Sequence, residues 1–404
     1  MKRIYSVGFS LSTIFLLVII VPQLAYSQAT APPKDIEMHP PIHIKIASAS
    51  VPNGITPAQI RHAYRFDQLS CSYTAPTWPS TNLCGNGQAV AIIDAFDDPN
   101  VESDLAMFNT QFNLPPCTTS NGCFVKLTPE GQPRPNFGWT QEISLDVEWA
   151  HAIAPGAKII LVESKNAFTT PLFHAVDIGS SQSGVHQVSM SWGSQEYPSE
   201  ILFDKHFKKT GVSFFAASGD SGSGVEYPAA SRFVIGVGGT TLNLDSQGNV
   251  ISESAWSGSG GGISTIEPKP SYQLLFNTNS KRGIPDVSYD SDPSTGFPVY
   301  DSYRCSRDCW IQVGGTSDAA PQWAALFAIA NSVRITPISS INFGTGNIVY
   351  SAAQGSSYSQ NFRDITAGTN GNCGSICTAV TGYDFVTGLG SPLANNLFSF
   401  LGSH

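Results

Sequence analysis

Apolar and polar positions along the chain alternate between two kinds of segment. Short continuous apolar runs recur at 89–93 (AVAII), 157–162 (AKIILV), 188–192 (VSMSW), 212–217 (VSFFAA) and 234–238 (VIGVG). Each has the length of a fully buried strand rather than a helix. Between them lie segments with helical spacing: 101–112 (VESDLAMFNTQF), 139–153 (WTQEISLDVEWAHAI), 171–179 (PLFHAVDIG) and 200–210 (EILFDKHFKKT). Buried strands alternating with helices predict an α/β fold: a doubly wound, mainly parallel sheet with helices on both faces. From 239 onward Gly, Ser, Pro and Asp dominate, and long loops return to the core at Ile311. There Ile311 and Val313 stop at Gly314-Gly315, and Thr316-Ser317 opens a helix-forming stretch with Pro321 expected in its first turn. One large domain is expected over 53–404, its first helix within 55–66 (ITPAQIRHAYRF). Residues 28–52 are proline-rich and unpatterned, which predicts an exposed leader or linker.

The extreme N-terminus changes the picture of location. Lys2 and Arg3, an apolar stretch to Val21, and the small residues Ala25 and Ser27 read as a secretory signal over 1–27. An uncleaved signal-anchor is the alternative, with an apolar run short for a span. A secreted, extracellular protein with no membrane partner after signal cleavage is expected. The eight cysteines fall as four local pairs, Cys71/Cys84, Cys117/Cys123, Cys305/Cys309 and Cys373/Cys377. Export makes disulfides the default, and no Cys-x-x-Cys or His-x-x-x-His pattern favours zinc. Spacing alone does not fix the connectivity. A net charge of −9 without any basic run argues against a nucleic-acid partner.

Candidate chemistry centres on Ser317, at a predicted helix N-terminus, where unpaired amides favour developing negative charge. It reads either as an N-cap after a glycine turn or as a nucleophile that needs a base elsewhere. Wound at about 100° per residue, segment 139–153 puts Glu142 and Asp146 on one face with Trp149, Ala150 and Ile153. Glu148, Ser144 and His151 are then expected on the opposite, exposed side. Carboxylates on an apolar face are costly unless they share a proton or serve a purpose. A solvated acidic patch is the competing reading. Asp220 lies just past a strand in ASGDSGSG (217–224), where ligands of open α/β sheets bind. Its neighbour Ser221 sits in a Gly-Asp-Ser-Gly that superficially matches trypsin-like enzymes, but those need a β-barrel context. A Ser-His-Asp arrangement with Asp94 lacks a histidine before Gly-Thr, so a carboxylate base is expected.

Together GGTSDAAP (314–321), ASGDSGSG, WTQEISLDVEWAHAIAPGA (139–157) and VAIIDAFDDPN (90–100) resemble the sedolisin family of serine-carboxyl peptidases, subtilisin-like proteins with a Ser-Glu-Asp triad. The resemblance, over about 55–396, implies Ser317 as nucleophile, Glu142 as general base, Asp146 as the acid orienting it, and Asp220 as the oxyanion-hole acid. It implies that Ser191, Trp192 and Gly193 lie on the strand that pairs with a peptide or protein substrate. It further implies one Ca²⁺ ion held by Asp364 and Asp384 and by the carbonyls of Ile365, Val380 and Gly382. Val380 stands where the family commonly has glycine. The implied protein is a secreted endopeptidase, expected as a monomer and active at acidic pH. A tripeptidyl-exopeptidase of the same family, or a non-enzymatic binding protein on a peptidase scaffold, are the alternatives. Between Ser27 and Ile55 there is no room for the long prosegment the family normally carries, so the resemblance leaves control of activity open.

Overall fold

The computed structural model describes Met1, Arg3 and residues 35–339 and 347–404, so the expected signal segment lies outside the described residues. At the centre of the unit formed by residues 35–404 is strand β2 (Ala89–Ala95), buried at every position. Its alternate side chains enter two cores. Val90 and Ile92 share a core with helices α1 (Pro57–Ala63), α2 (Val101–Phe112), α3 (Phe137–Ile153) and α5 (Thr316–Asn331). Ala89, Ala91 and Ile93 pack with helix α4 (Thr169–Ser180) on the other face. An apolar run without alternation is the pattern a strand covered on both faces requires.

Around β2 the sheet includes β3 (Phe124–Leu127), β4 (Lys158–Ser164), β5 (Val185–Met190), β6 (Ser213–Ala217), β7 (Ile235–Leu244), β8 (Val250–Ala255) and β9 (Val287–Asp290). Their order is β8-β7-β6-β5-β2-β4-β3, with β9 also paired to β7. All pairings are parallel except β8 on β7. From β2 the chain goes through α2 to the β3 edge, returns through α3 to β4 beside β2, then crosses through α4 to β5 on the other side of β2. The carboxyl ends of β2, β5 and β6 therefore flank a crevice at the switch in winding, where α/β sheets bind ligands. A second, antiparallel sheet joins β1 (His43–Ala49), β11 (Trp310–Gly314) and β10 (Phe297–Tyr300) in the order β1-β11-β10.

Several expectations need correction. The segment 35–49, expected within an exposed leader, is tied into the domain: Met38 is buried and β1 is a sheet strand. Proline richness hid a stretch whose bonds are made one or two at a time. Segment 200–210 forms two 3₁₀ turns, Glu200–Leu202 and Asp204–Phe207, rather than an α-helix. There the Phe203 amide bonds Glu200 and the Tyr227 and Ser231 hydroxyls hold buried Asp204, which pins the tighter winding. Pro321 is the sixth residue of α5, not in its first turn. Neither face of α3 is exposed, and Ser144, Glu148 and His151 are all buried. His151 meets the Pro115 carbonyl at 2.9 Å, and burial lowers its pKa to about 4. The four local cysteine pairs form disulfides. No helix among the described residues is long and apolar enough to cross a membrane.

Candidate active site

Ser317 is the second residue of α5, fully buried, behind Gly315 at φ 136°. A side chain at Gly315 would strike both the Pro41 carbonyl oxygen and Asp220 Oδ2, so the turn into α5 needs glycine for space as well as for φ. Opposite stands α3, which presents Glu142 and Asp146 one turn apart. The Ser317 hydroxyl lies against the Glu142 carboxyl, although the pair falls short of hydrogen-bond geometry in this arrangement. Asp146 accepts from the Ser191 hydroxyl at 2.8 Å, and the same hydroxyl reaches the Ser317 carbonyl at 3.3 Å. Pro321 has no amide hydrogen to bond the carbonyl four residues earlier, which is that of Ser317, so this oxygen is free for Ser191.

Asp220 follows β6 and accepts from the Thr316 amide at 2.8 Å and the Thr316 hydroxyl at 2.9 Å. Its other oxygen faces His43 Nε2 at 3.3 Å. Burial is the main cause that raises the pKa of Glu142, Asp146 and Asp220 well above the ordinary carboxyl range. For Glu142 and Asp146 the next cause is Asp94. It ends β2, is completely buried with both oxygens unpartnered, and burial raises its pKa to about 8. Asp318, also buried and unpartnered, adds a fifth carboxyl group beside Ser317. So many acids in dry surroundings hold protons in common, which lets one act as hydrogen donor while another accepts.

Ser191, Trp192 and Gly193 follow β5 but do different things. The Ser191 side chain turns inward to Asp146. The Trp192 indole is buried and donates to the Ile93 carbonyl at 2.7 Å. Gly193 offers only its backbone, and it is taken. His39 donates to the Gly193 carbonyl at 2.9 Å and accepts from its amide at 3.1 Å, an antiparallel bridge. Upstream, Met38 donates to the Ala167 carbonyl, and Glu37 bridges Phe168. Downstream, an Ile42-to-Pro40 hydrogen bond bends the chain at Pro41, and β1 then pairs His43 with Gly314. The chain's own segment 35–49 thus runs as a strap through the crevice, past Ser317. Ser221 is exposed, away from these contacts.

A profile described as the subtilase family matches residues 138–339, half of the chain. Kumamolisin from Bacillus sp. (strain MN-32) is 31% identical over 393 residues, covering 88% of this chain and 65% of kumamolisin. Sedolisin from Pseudomonas sp. (strain 101) is 33% identical over 219 residues, covering 48% of this chain and 35% of its own length. The solved structure of Pseudomonas sedolisin, a serine-carboxyl proteinase complexed with pseudo-iodotyrostatin, superposes with a TM-score of 0.70 at 25% identity. It covers 88% of this chain and 99% of that one. The chain belongs to the subtilase family, in its sedolisin branch. A tripeptidyl-peptidase 1 from Dictyostelium discoideum, 28% identical over 88% of the chain, extends the same kinship. The chain spans 60% of that relative's length.

In this sedolisin-type fold the C-terminal loops 364–368 and 379–388 lie together. Asp364 accepts from the Tyr358 hydroxyl and the Gly382 amide. Asp384 accepts from the amides of Val380, Val386 and Thr387, and burial raises its pKa to about 6. Among the described residues no hydrogen bond ends on the carbonyl oxygens of Ile365, Val380 or Gly382. Carboxylate oxygens in two adjoining loops are hard donors of the kind Ca²⁺ takes.

Proposed function

We propose that the chain is an exported serine-carboxyl peptidase that hydrolyses peptide bonds of peptide or protein substrates at acidic pH. The observation that carries this reading is Ser317 against Glu142 inside a dry group of carboxyls. Of the nearby histidines, His43 faces Asp220 with its ring, and His39 meets Gly193 through its backbone. In the proposed reaction Glu142 takes the Ser317 proton as Oγ bonds to the peptide carbonyl carbon. Protonated Asp220 and the Ser317 amide donate to the oxyanion. The C–N bond breaks, the departing amine takes the proton from Glu142, and water then releases the acyl group by the same base. Asp146, held by Ser191, orients Glu142, and Asp94 keeps the acid group short of charge.

The path of the strap favours an endopeptidase over a tripeptidyl-exopeptidase. Gly193 pairs with His39, and contacts continue four residues further upstream to Asp35, which accepts from both the amide and the hydroxyl of Thr170. An extended peptide longer than three residues therefore has room on the amino side of Pro41. Asp364 and Asp384 with the carbonyls of Ile365, Val380 and Gly382 would hold one Ca²⁺, tying the two C-terminal loops together. The four disulfides support export.

The test is hydrolysis of a denatured protein followed by mass spectrometry. Wild type should release internal fragments at acid pH, and Ser317→Ala should release none while keeping its melting temperature. Ser221→Ala should retain activity. Tripeptides as the sole products would reverse the choice of endopeptidase, and an active Ser317→Ala would overturn the site itself.

A further inference from the structure

The strap shows how the crevice grips a peptide. It lies as an extended strand between residues 167–169 and Gly193. The Met38 amide donates to the Ala167 carbonyl at 2.7 Å, and His39 exchanges bonds with Gly193 at 2.9 and 3.1 Å. Side chains along an extended strand point alternately to opposite sides. Accordingly Glu37 and His39 are exposed, Ile36 is half-buried and Met38 is completely buried. Met38 belongs to the core that also contains Trp139, Ala167, Leu172 and Trp192. A thioether side chain three residues before Pro41 thus fills a dry, apolar place.

Asp35 makes a second anchor. Helix α4 begins after Phe168, which gives it no side-chain cap, and the first amides of a helix lack partners of their own. The strap supplies the acceptors. The Ile36 carbonyl takes the Thr169 amide at 2.9 Å. Asp35 Oδ1 takes the Thr170 amide at 3.1 Å, the Thr169 hydroxyl at 3.1 Å and the Thr170 hydroxyl as well. These bonds, that of the Thr170 hydroxyl first, hold the Asp35 pKa below the ordinary aspartate value, so its charge persists at mildly acid pH. The amino end of α4 therefore already holds the carboxylate of an extended peptide.

A side chain at Gly315 would meet both the Pro41 carbonyl oxygen and Asp220 Oδ2, so that strap carbonyl borders the acid assigned to the oxyanion. On the peptidase reading above, on which this inference rests, Pro41 marks the residue whose carbonyl is attacked. Places along the strap then become places along a substrate. We propose that the crevice selects extended peptides with a large apolar side chain at the place of Met38 and a carboxylate at the place of Asp35, three and six residues before the attacked carbonyl. The backbone bonds to Ala167 and Gly193 are open to any sequence, whereas the two side-chain places supply the choice. A peptide that puts a charge where Met38 lies would bury it without a partner.

The experiment uses the full chain carrying Ser317→Ala, so that bound peptide is not cut, and Met38→Lys, which removes the strap's own anchor. A fluorescein-labelled peptide copying residues 35–42 is titrated at one acid pH and read by fluorescence polarisation. The copy and its Met38→Leu version should bind alike. The Met38→Lys peptide should bind at least about tenfold more weakly, and the Asp35→Asn peptide about two- to fivefold more weakly. Equal binding of the four peptides, or no binding of the unsubstituted copy, would overturn the proposal. The wild-type chain is then assayed on cleavable peptides varied at the same two places, where kcat/KM should follow the same order. If none is cut while binding keeps that order, the peptidase reading fails and the two side-chain places stand. If all are cut with equal kcat/KM, the places fail and the peptidase reading stands.

Discussion

Pro321 leaves the carbonyl of Ser317 without its helical donor, and the Ser191 hydroxyl reaches that oxygen at 3.3 Å while donating to Asp146 at 2.8 Å. One hydroxyl therefore touches both the helix that presents Ser317 and the acid beside Glu142. Leaving such buried acceptors unpaired costs about 1–3 kcal/mol. Ser191→Ala should lower kcat roughly tenfold with little change in KM, because the residue orients the base rather than holding substrate. Steady-state kinetics on one peptide checks this. A change confined to KM would return Ser191 to a substrate-contacting role.

The strap predicts its own behaviour. With His39 on the Gly193 backbone and His43 on Asp220, a substrate can pair there only after residues 35–42 leave. A chain beginning at Ile42, which keeps β1 on β11, should cleave a peptide substrate faster from the first turnover than the chain beginning at residue 35. The longer chain should show a lag at acid pH that shortens as its N-terminus is trimmed. Progress curves with N-terminal sequencing read both. Equal initial rates would mean that the strap leaves the crevice unaided.

The alternation of buried strands and helices was legible because a strand covered on both faces needs an unbroken apolar run, as at Ala89–Ile93. Ser317, Glu142, Asp146 and Asp220 were legible only through joint motifs, since each alone also fits a cap, a patch or a turn. Asp94 fits a Ser-His-Asp triad only with a histidine that the sequence lacks. The signal for it was present: a carboxyl ending a fully apolar strand has no water to face. The exposed face expected of α3 fails because polar residues need not face solvent: Ser144 donates to buried Asp98, and buried Glu148 accepts from the Tyr300 amide. The strap leaves no local signal because its partners, Ala167, Gly193 and Gly314, are far away in sequence.

Calcium at the C-terminal loops has a thermal signature. An ion bound only by the folded chain stabilises it by about 2.7 kcal/mol at a hundredfold excess over Kd. In Ser317→Ala protein, Asp384→Ala should lower the melting temperature measured in calcium by several degrees and bind one equivalent fewer than its parent. Asp384→Asn should behave alike if the carboxylate charge is what matters. An unchanged count by elemental analysis would remove Asp384 as a ligand.

The pH profile tests Asp220 most directly. Burial raises its pKa well above that of an exposed aspartate, so the proton needed for donation to an oxyanion persists through acid pH. As pH rises through that value, Asp220 ionises and places negative charge where the transition state also develops it. Activity should therefore fall toward neutrality while the protein stays folded. On the acid side Glu142 must be ionised to accept the Ser317 proton, so activity should also fall as pH drops through the pKa of Glu142 in the open site. The result is a bell, with Glu142 setting its acid limb and Asp220 its alkaline limb. Losing one such donor costs roughly 2.7–4 kcal/mol of transition-state stabilisation, a loss of about 10²–10³ in kcat for Asp220→Ala at every pH. Asp220→Asn donates without needing to be protonated. It should keep part of the activity and shift the alkaline limb upward, while leaving the acid limb, set by Glu142, in place. Full wild-type activity at pH near ~8, well above the ordinary carboxyl range, would sink the assignment. So would an Asp220→Asn profile that superimposes on wild type.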